Sequence, residues 1–443
     1  MDYSGAAFGR ARYLAVQFQS TRHRDPPVGF SAALKAGLAA DGGLYTPMAW
    51  PRLTPTADAT DLAAVAEEVL RPFAHDDPLA SALRAIAQEA FNFPAPLTPV
   101  GEGGRLHVLE LFHGPTAAFK DFGARFLAAS FARLRPDSAQ PLKILVATSG
   151  DTGGAVAAAF HRQPGVEVVV LFPKGRVSPT QERQLTCWDG NVRSLAVHGR
   201  FDDCQRLVKE AFADVSLRER FEMSSANSIN LGRLLPQAAY YWASSLAIWR
   251  AHHEVASFVI PSGNLGNATA CVWARQLGAP IGAIVLAHNA NRTVPDFFER
   301  GVLEPRPSAA TLSSSMDVGN PSNLERLVAL FPQPSALHNR LSAVSIDDDA
   351  TRSRIRADLA AYGRVWCPHT AVAAEAFSRL SDSQRASGRW VLVATAHPAK
   401  FRETVEPLIG RALPMPENLA RLFERPSNFT EIAATLPELK RIL

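Results

Sequence analysis

The chain has 443 residues, of which 47% are hydrophobic and 20% charged, with a formal net charge of +4. That length exceeds a single hydrophobic core and predicts two or three domains of ordinary globular composition. No lysine or arginine run and no interleaving of basic with aromatic residues accompanies the mild positive charge, which argues against nucleic acid as a partner.

No apolar stretch approaches the roughly 20 residues that cross a bilayer. The opening MDYSGAAFGRAR lacks the basic start and apolar centre of a signal peptide, so a cytoplasmic protein with no membrane association is expected. Cys187, Cys204, Cys271 and Cys367 have no zinc-type spacing; they read as free thiols, and no metal site is expected.

In chain order, the first 98 residues read mainly as helix. Ser31 caps a helix running to Leu38, Asp41-Gly42-Gly43 turns the chain, and Asp61 caps a helix running to Leu70. Pro94, Pro96 and Pro99 mark a boundary, beyond which strands and helices alternate. Strands are predicted at 108–112, 143–147, 166–172, 257–260, 281–287 and 391–394. Helices are predicted at 121–134, 153–160, 181–185, 201–213, 233–249 and 267–277, and the segment from Met415 onward reads as a helical tail. Short, continuous apolar strands separated by helices point to an α/β fold with parallel sheets covered on both faces. Ligands of such sheets bind in the loops that follow the strands.

Three segments stand out in those positions. Lys120 follows His113-Gly114-Pro115 at the start of a helix and heads an apolar row of Ala124, Leu127 and Phe131. The helix dipole and burial both disfavour its charge, and a neutral amine is what Schiff-base chemistry needs. The alternative is a lysine that reaches solvent. His113 reads either as a turn cap or as a catalytic group. The loop Thr148-Ser149-Gly150-Asp151-Thr152 offers hydroxyls beside free backbone donors, suited to a carboxylate or phosphate, or else forms a capped polar turn. The loop Gly263-Asn264-Leu265-Gly266-Asn267 lies between a strand and a helix. It lacks the dinucleotide and Walker patterns, and reads as an anion cradle or as a turn with capping asparagines. An imine-forming lysine, a phosphate cradle and a carboxylate site are together the parts that a pyridoxal 5'-phosphate (PLP) enzyme requires.

At these residues the chain resembles the threonine synthases. HGPTAAFKDFGARF is similar to that family's PLP-lysine motif, and QSTRHRDPPVGFSAALKAGLAADGGLYTP to its amino-terminal segment. ATSGDTGGAVAAAF, SANSINLGRLLPQ, PSGNLGNATA, LSSSMDV and ATAHPAKF follow in family order, so the resemblance spans nearly the whole chain. It implies two doubly wound domains of the tryptophan synthase β-like kind with PLP between them, plus an amino-terminal helical extension. The expected division is an extension over 1–98, a larger PLP-binding domain from 99–134 and 250–412, a smaller α/β domain over 135–249 and a tail over 413–443.

The resemblance also implies roles. Lys120 carries PLP. Gly263, Asn264, Leu265, Gly266 and Asn267 hold its phosphate, and Thr395 meets its ring nitrogen. Thr148, Ser149, Gly150 and Thr152 surround the substrate carboxylate, with Asp151 at the cofactor's O3′ edge. Asn227, Ser228 and Arg233 bind a substrate phosphate, a task that suits the planar guanidinium fork. The implied reaction converts O-phospho-L-homoserine and water to L-threonine and phosphate, in a monomer or homodimer. Asp151 departs from the asparagine of many relatives of the fold, while SGDTG occurs in the branch this chain most resembles. Alternatives are a phospho-lyase that releases 2-oxobutyrate, ammonia and phosphate, a serine or threonine dehydratase, and a binding module without activity.

Overall fold

Apolar segments of three to eight residues assemble into two largely buried sheets. A computed structural model describes residues 15–54, 61–101, 103–135 and 140–443; the opening segment read above for a targeting signal lies outside them. The larger sheet runs Leu341–Ser345, Ile281–His288, Ala256–Pro261, Arg389–Ala394, Leu106–Glu110 and Leu97–Val100. All its pairs are parallel except the last. The second sheet runs Thr430–Ala433, Val192–His198, Val166–Pro173, Leu142–Ala147 and Met223–Ser225, with every pair parallel. Parallel strands need crossover connections, and helices supply them, so both faces are covered. The fold is α/β, as expected. Among the described residues, no helix is long and apolar enough to cross a membrane.

Three local expectations change. The carboxyl-terminal segment is not wholly helical: Thr430–Ala433 adds an edge strand to the five-stranded sheet beside Val192–His198. Its run Thr430-Glu431-Ile432-Ala433 buries Ile432 alone, a pattern too short and too polar to read as a strand. The helix expected over 233–249 is broken. Leu231–Leu234 passes into a 3-10 turn at Leu235–Gln237 before Ala238–His252, because Pro236 lacks the N–H that a continuous α-helix needs. The first helix spans Phe30–Ala36 with Gly29 at its cap, and Ser31 lies inside it. Asp61 does cap Leu62–Leu70, accepting the N–H of Ala64. The early segment also forms a small antiparallel ribbon, Phe18–Ser20 with Tyr45–Pro47.

The helix Lys120–Leu134 packs against Leu231–Leu234 so closely that a Cβ at Gly123 would collide with the carbonyl of Arg233. Gly123 thereby holds Lys120 and Arg233 in register. Gly123→Ala should destabilise the protein by about 1–3 kcal/mol, the usual cost of overpacking, read as an earlier urea midpoint. An unchanged midpoint would contradict the close approach.

Candidate active site

The carboxyl ends of both sheets converge on one cleft of about 1160 Å³, partly open to solvent. Lys120, Thr148, Ser149, Asp151, Thr152, Asn227, Ser228, Arg233, Thr395 and the turn from Gly263 to Asn267 all line it. Gly150 does not, although it shapes the loop: its φ of 135° is open to glycine, and a Cβ there would meet the Gln181 side chain. His113 lies outside the cleft, exposed and 2.9 Å from Glu110.

Lys120 is anchored by its approach loop. Phe119 N–H donates to Thr395 O at 2.9 Å, and His397 N–H to Ala117 O at 3.0 Å. Ala118 and Ala396 form an isolated bridge between these hydrogen bonds. The same short ladder therefore sets the positions of Lys120 and Thr395. The Asp121 carboxylate accepts the Thr116 N–H at 2.9 Å and its hydroxyl at 2.6 Å, closing the loop from beneath. Burial pushes the Asp121 pKa up, against those two hydrogen bonds.

The Lys120 amine makes no hydrogen bond or ion pair among the described residues. Burial pushes its pKa down to about 8, with Asp151 acting in the opposite sense and Lys400 and Arg233 in the same sense. Burial also lowers Arg233 to about 10. Arg233 is 2% exposed, donates through Nη1 to Ala226 O, and its Nε has no partner among the described residues.

Several side chains expected to touch ligand are used to build the loops. The Thr148 hydroxyl accepts from Gly150 N at 3.0 Å and Gly153 N at 2.9 Å and donates to Gly150 O at 3.1 Å, so it holds the turn. Ser149 and Thr152 keep their hydroxyls free among the described residues. Asn227 pins the end of strand Leu142–Ala147, donating to Ala147 O at 2.7 Å and accepting from Ala147 N at 3.2 Å. Ser228 Oγ accepts from Asn264 Nδ2 at 2.7 Å and Asn323 Nδ2 at 3.1 Å, which leaves its own proton to donate.

The glycine-rich turn fits a phosphate group. Leu265 takes a left-handed conformation with φ of 60° and caps the helix Gly266–Leu277. The first N–H groups of that helix have no carbonyl one turn back to bond, and its dipole favours an anion. The Asn267 Oδ1 is held by Tyr240 and Tyr241 hydroxyls at 2.7 and 2.8 Å, while its buried Nδ2 has no partner among the described residues. A Cβ at Gly263 would press against Met316 at 2.8 Å, so only glycine lets the turn pass beneath that segment. An unbonded lysine, an orphaned amide donor beside a helix N-terminus and the Thr395 hydroxyl form a donor set that suits PLP.

The structure also brings in residues that sequence reasoning missed. Asp151 pairs with Lys400 at 2.9 Å and accepts from Gln181 Nε2 at 3.0 Å. Burial raises the Asp151 pKa, but Lys400, Lys120 and His369 together hold it far below the ordinary carboxylate range. His369 accepts the Ser315 N–H through Nε2 at 3.1 Å, and burial pushes its pKa down to about 4. Lys400 stood inside a recognised motif, whereas Gln181 and His369 carry no local signal. Unit charges 4 Å apart attract by about 4 kcal/mol at an effective dielectric near 20, and each buried ion loses several kcal/mol of hydration. The Asp151–Lys400 pair therefore contributes little net stability.

Residues 92–396 match the family described as pyridoxal-phosphate-dependent enzymes. Residues 17–91 match the threonine synthase N terminus, and 370–443 the threonine synthase C-terminal family. A threonine synthase of Haemophilus influenzae is 39% identical, with 95% of this chain and 98% of that protein covered. The chain belongs to the threonine synthase family. It is a PLP-dependent enzyme. Among solved structures, the threonine synthase of Escherichia coli superposes with a TM-score of 0.89 at 36% identity, over 96% of this chain and 99% of that one. The PLP-bound threonine synthase of Brucella melitensis gives 0.86 at 35% identity, over 97% and 98%.

In cofactor-free protein, Lys120 should be a cation below pH 8 and a free amine above it. Its acylation rate, followed by peptide mapping across pH, should show a midpoint near 8. A midpoint at the ordinary lysine value near about 10.4 would contradict the buried, unbonded amine.

Proposed function

We propose that this chain converts O-phospho-L-homoserine and water to L-threonine and phosphate. The observation that supports this most is Arg233, which brings a guanidinium with an unpartnered Nε to the cleft that Lys120 enters. A serine or threonine dehydratase has no phosphate for that group to meet.

In this reading Arg233 and the Ser228 hydroxyl bind the substrate phosphate. The free hydroxyls of Ser149 and Thr152, with the N-terminus of helix Asp151–Phe160, bind the substrate carboxylate. The turn from Gly263 to Asn267 would hold the PLP phosphate, and the Thr395 hydroxyl would meet its ring nitrogen. PLP supplies an electron sink for charge that develops at the substrate α carbon. Lys120, its amine free once substrate is bound, would move the α proton; a pKa of about 8 lets that amine both take up and return a proton. Loss of a β proton would let the anchored phosphate leave from the γ carbon with its electron pair; the γ carbon would then gain a proton, water would add at the β carbon, and Lys120 would return a proton to the α carbon. Substrate filling the cleft between the two sheets would displace water other than the molecule the reaction uses. Asp151, its charge balanced by Lys400, would lie beside the cofactor's O3′ edge. A cytoplasmic setting accords with four unpaired, buried cysteines.

The test is a product assay. PLP-loaded protein given O-phospho-L-homoserine should release threonine and phosphate in a one-to-one ratio. Phosphate accompanied by 2-oxobutyrate would make it a phospho-lyase, and absence of phosphate release would overturn the assigned substrate.

A further inference from the structure

Lys400 is a buried lysine paired with the cleft residue Asp151, and the proposed reaction gives it no proton to move. It lies in the turn Pro398–Phe401, just beyond strand Arg389–Ala394 of the six-stranded sheet, and is fully buried. Its Nζ donates to Thr116 O at 2.7 Å and pairs with Asp151 Oδ1 at 2.9 Å. Its backbone oxygen accepts from Ser178 Oγ at 2.9 Å, at the cap of helix Pro179–Thr186. Asp151 opens the helix that follows strand Leu142–Ala147 of the other sheet. The pair thus spans the two sheets at their carboxyl ends, and Gln181 seconds it by bridging Asp151 at 3.0 Å to Ser315 Oγ at 3.1 Å.

The groups that act on the Lys120 nitrogen are few. Asp151 faces it from one sheet, and Lys400 and Arg233 are its neighbouring cations. His369, in helix Pro368–Ser378, also acts on it, but its Nε2 accepts a backbone N–H, so the ring is neutral near pH 7. Cys367 stands behind His369, 3.9 Å from its Nδ1. Asp121, next in the chain, is engaged by Thr116. Between them, Asp151 and Lys400 decide whether a cation at Lys120 meets an attractive or a balanced field.

We propose that Lys400 is a positioning residue: by holding and neutralising Asp151, it sets the charge carried by the Lys120 nitrogen when that nitrogen is joined to PLP. This rests on the reading of Lys120 as the PLP-bearing lysine. With the pair intact, the pull of the carboxylate on a proton at Lys120 is offset by the Lys400 ammonium. Without Lys400, Asp151 turns to Lys120 as its remaining close cation. Without the Asp151 charge, the Lys400 ammonium repels that cation.

The experiment is a pH titration of the absorbance spectrum of the PLP-loaded protein, because the protonated and unprotonated forms of a lysine–PLP linkage absorb at different wavelengths. Lys120→Ala should abolish the titrating band; a band that survives would overturn the Lys120 reading and this inference with it. Lys400→Met should raise the titration midpoint by about one to three units, the range for a nearby opposite charge. Asp151→Asn should lower it, the double variant should return near the wild-type midpoint, and Lys400→Arg should stay closest to wild type. A buried pair that only joined the two sheets would move stability without shifting the midpoint in opposite directions. Single variants that leave the midpoint in place, or move it the same way, would overturn the proposal while leaving the Lys120 band and the product assay intact. If Lys400→Met does not fold, Asp151→Asn decides alone, and an unchanged or raised midpoint overturns it.

Discussion

Charge without water is the constraint on which this cleft depends. Lys120, Lys400, Arg233 and Asp151 all lie where solvation is poor, so each charged form must be balanced by its neighbours or given up. Lys400 finds a carboxylate and a carbonyl. Arg233 finds a carbonyl at Nη1 and keeps an unmet donor at Nε. Lys120 finds no hydrogen bond among the described residues, and its amine sheds its proton far more readily than a surface lysine. A lysine in that state adds little to folding stability, and its placement is intelligible as chemistry rather than as packing.

That placement relies on contacts well outside the cleft. The ladder from Phe119 to Thr395 and from His397 to Ala117 ties the lysine loop to the strand Arg389–Ala394, and Gly123 lets the helix behind Lys120 press against Arg233. Arg326, with no exposed surface, gathers the carbonyls of Tyr45, Ser228 and Ile229 and the side chain of Asn323. Burial lowers its pKa to about 9. Through it the early segment of the chain is coupled to the loop that carries Ser228. The extension thus packs as part of the catalytic architecture rather than as an appendage, and its Phe18, Phe30 and Phe73 share a core with Phe126 and Trp273.

Much of this was legible in the sequence because the relevant signals are local. Valine-rich runs such as 166–172 declare buried parallel strands, and the glycine turn after 257–260 stands where such a sheet binds its ligands. The family motifs then named residues that the fold brings to one cleft. What was not legible depends on partners distant in the chain. Thr148, Asn227 and Asn264 look like ligand groups in sequence, yet much of their hydrogen-bonding capacity is taken up by the loops themselves. Asp151 looked out of place until folding brought Lys400 to within 2.9 Å of it. Thr430–Ala433 pairs with a strand more than 200 residues earlier, and its own sequence is too short to show a strand.

Two lysines act on the same Asp151 carboxylate, and only Lys120 is assigned the cofactor. Reduction of the PLP-loaded protein with borohydride, followed by digestion and mass mapping, fixes the linkage to a single side chain. The pyridoxyl group should be found on Lys120, with Lys400 unmodified. Label on Lys400, or label distributed over surface lysines with none on Lys120, would contradict the assignment of Lys120 as the reacting amine.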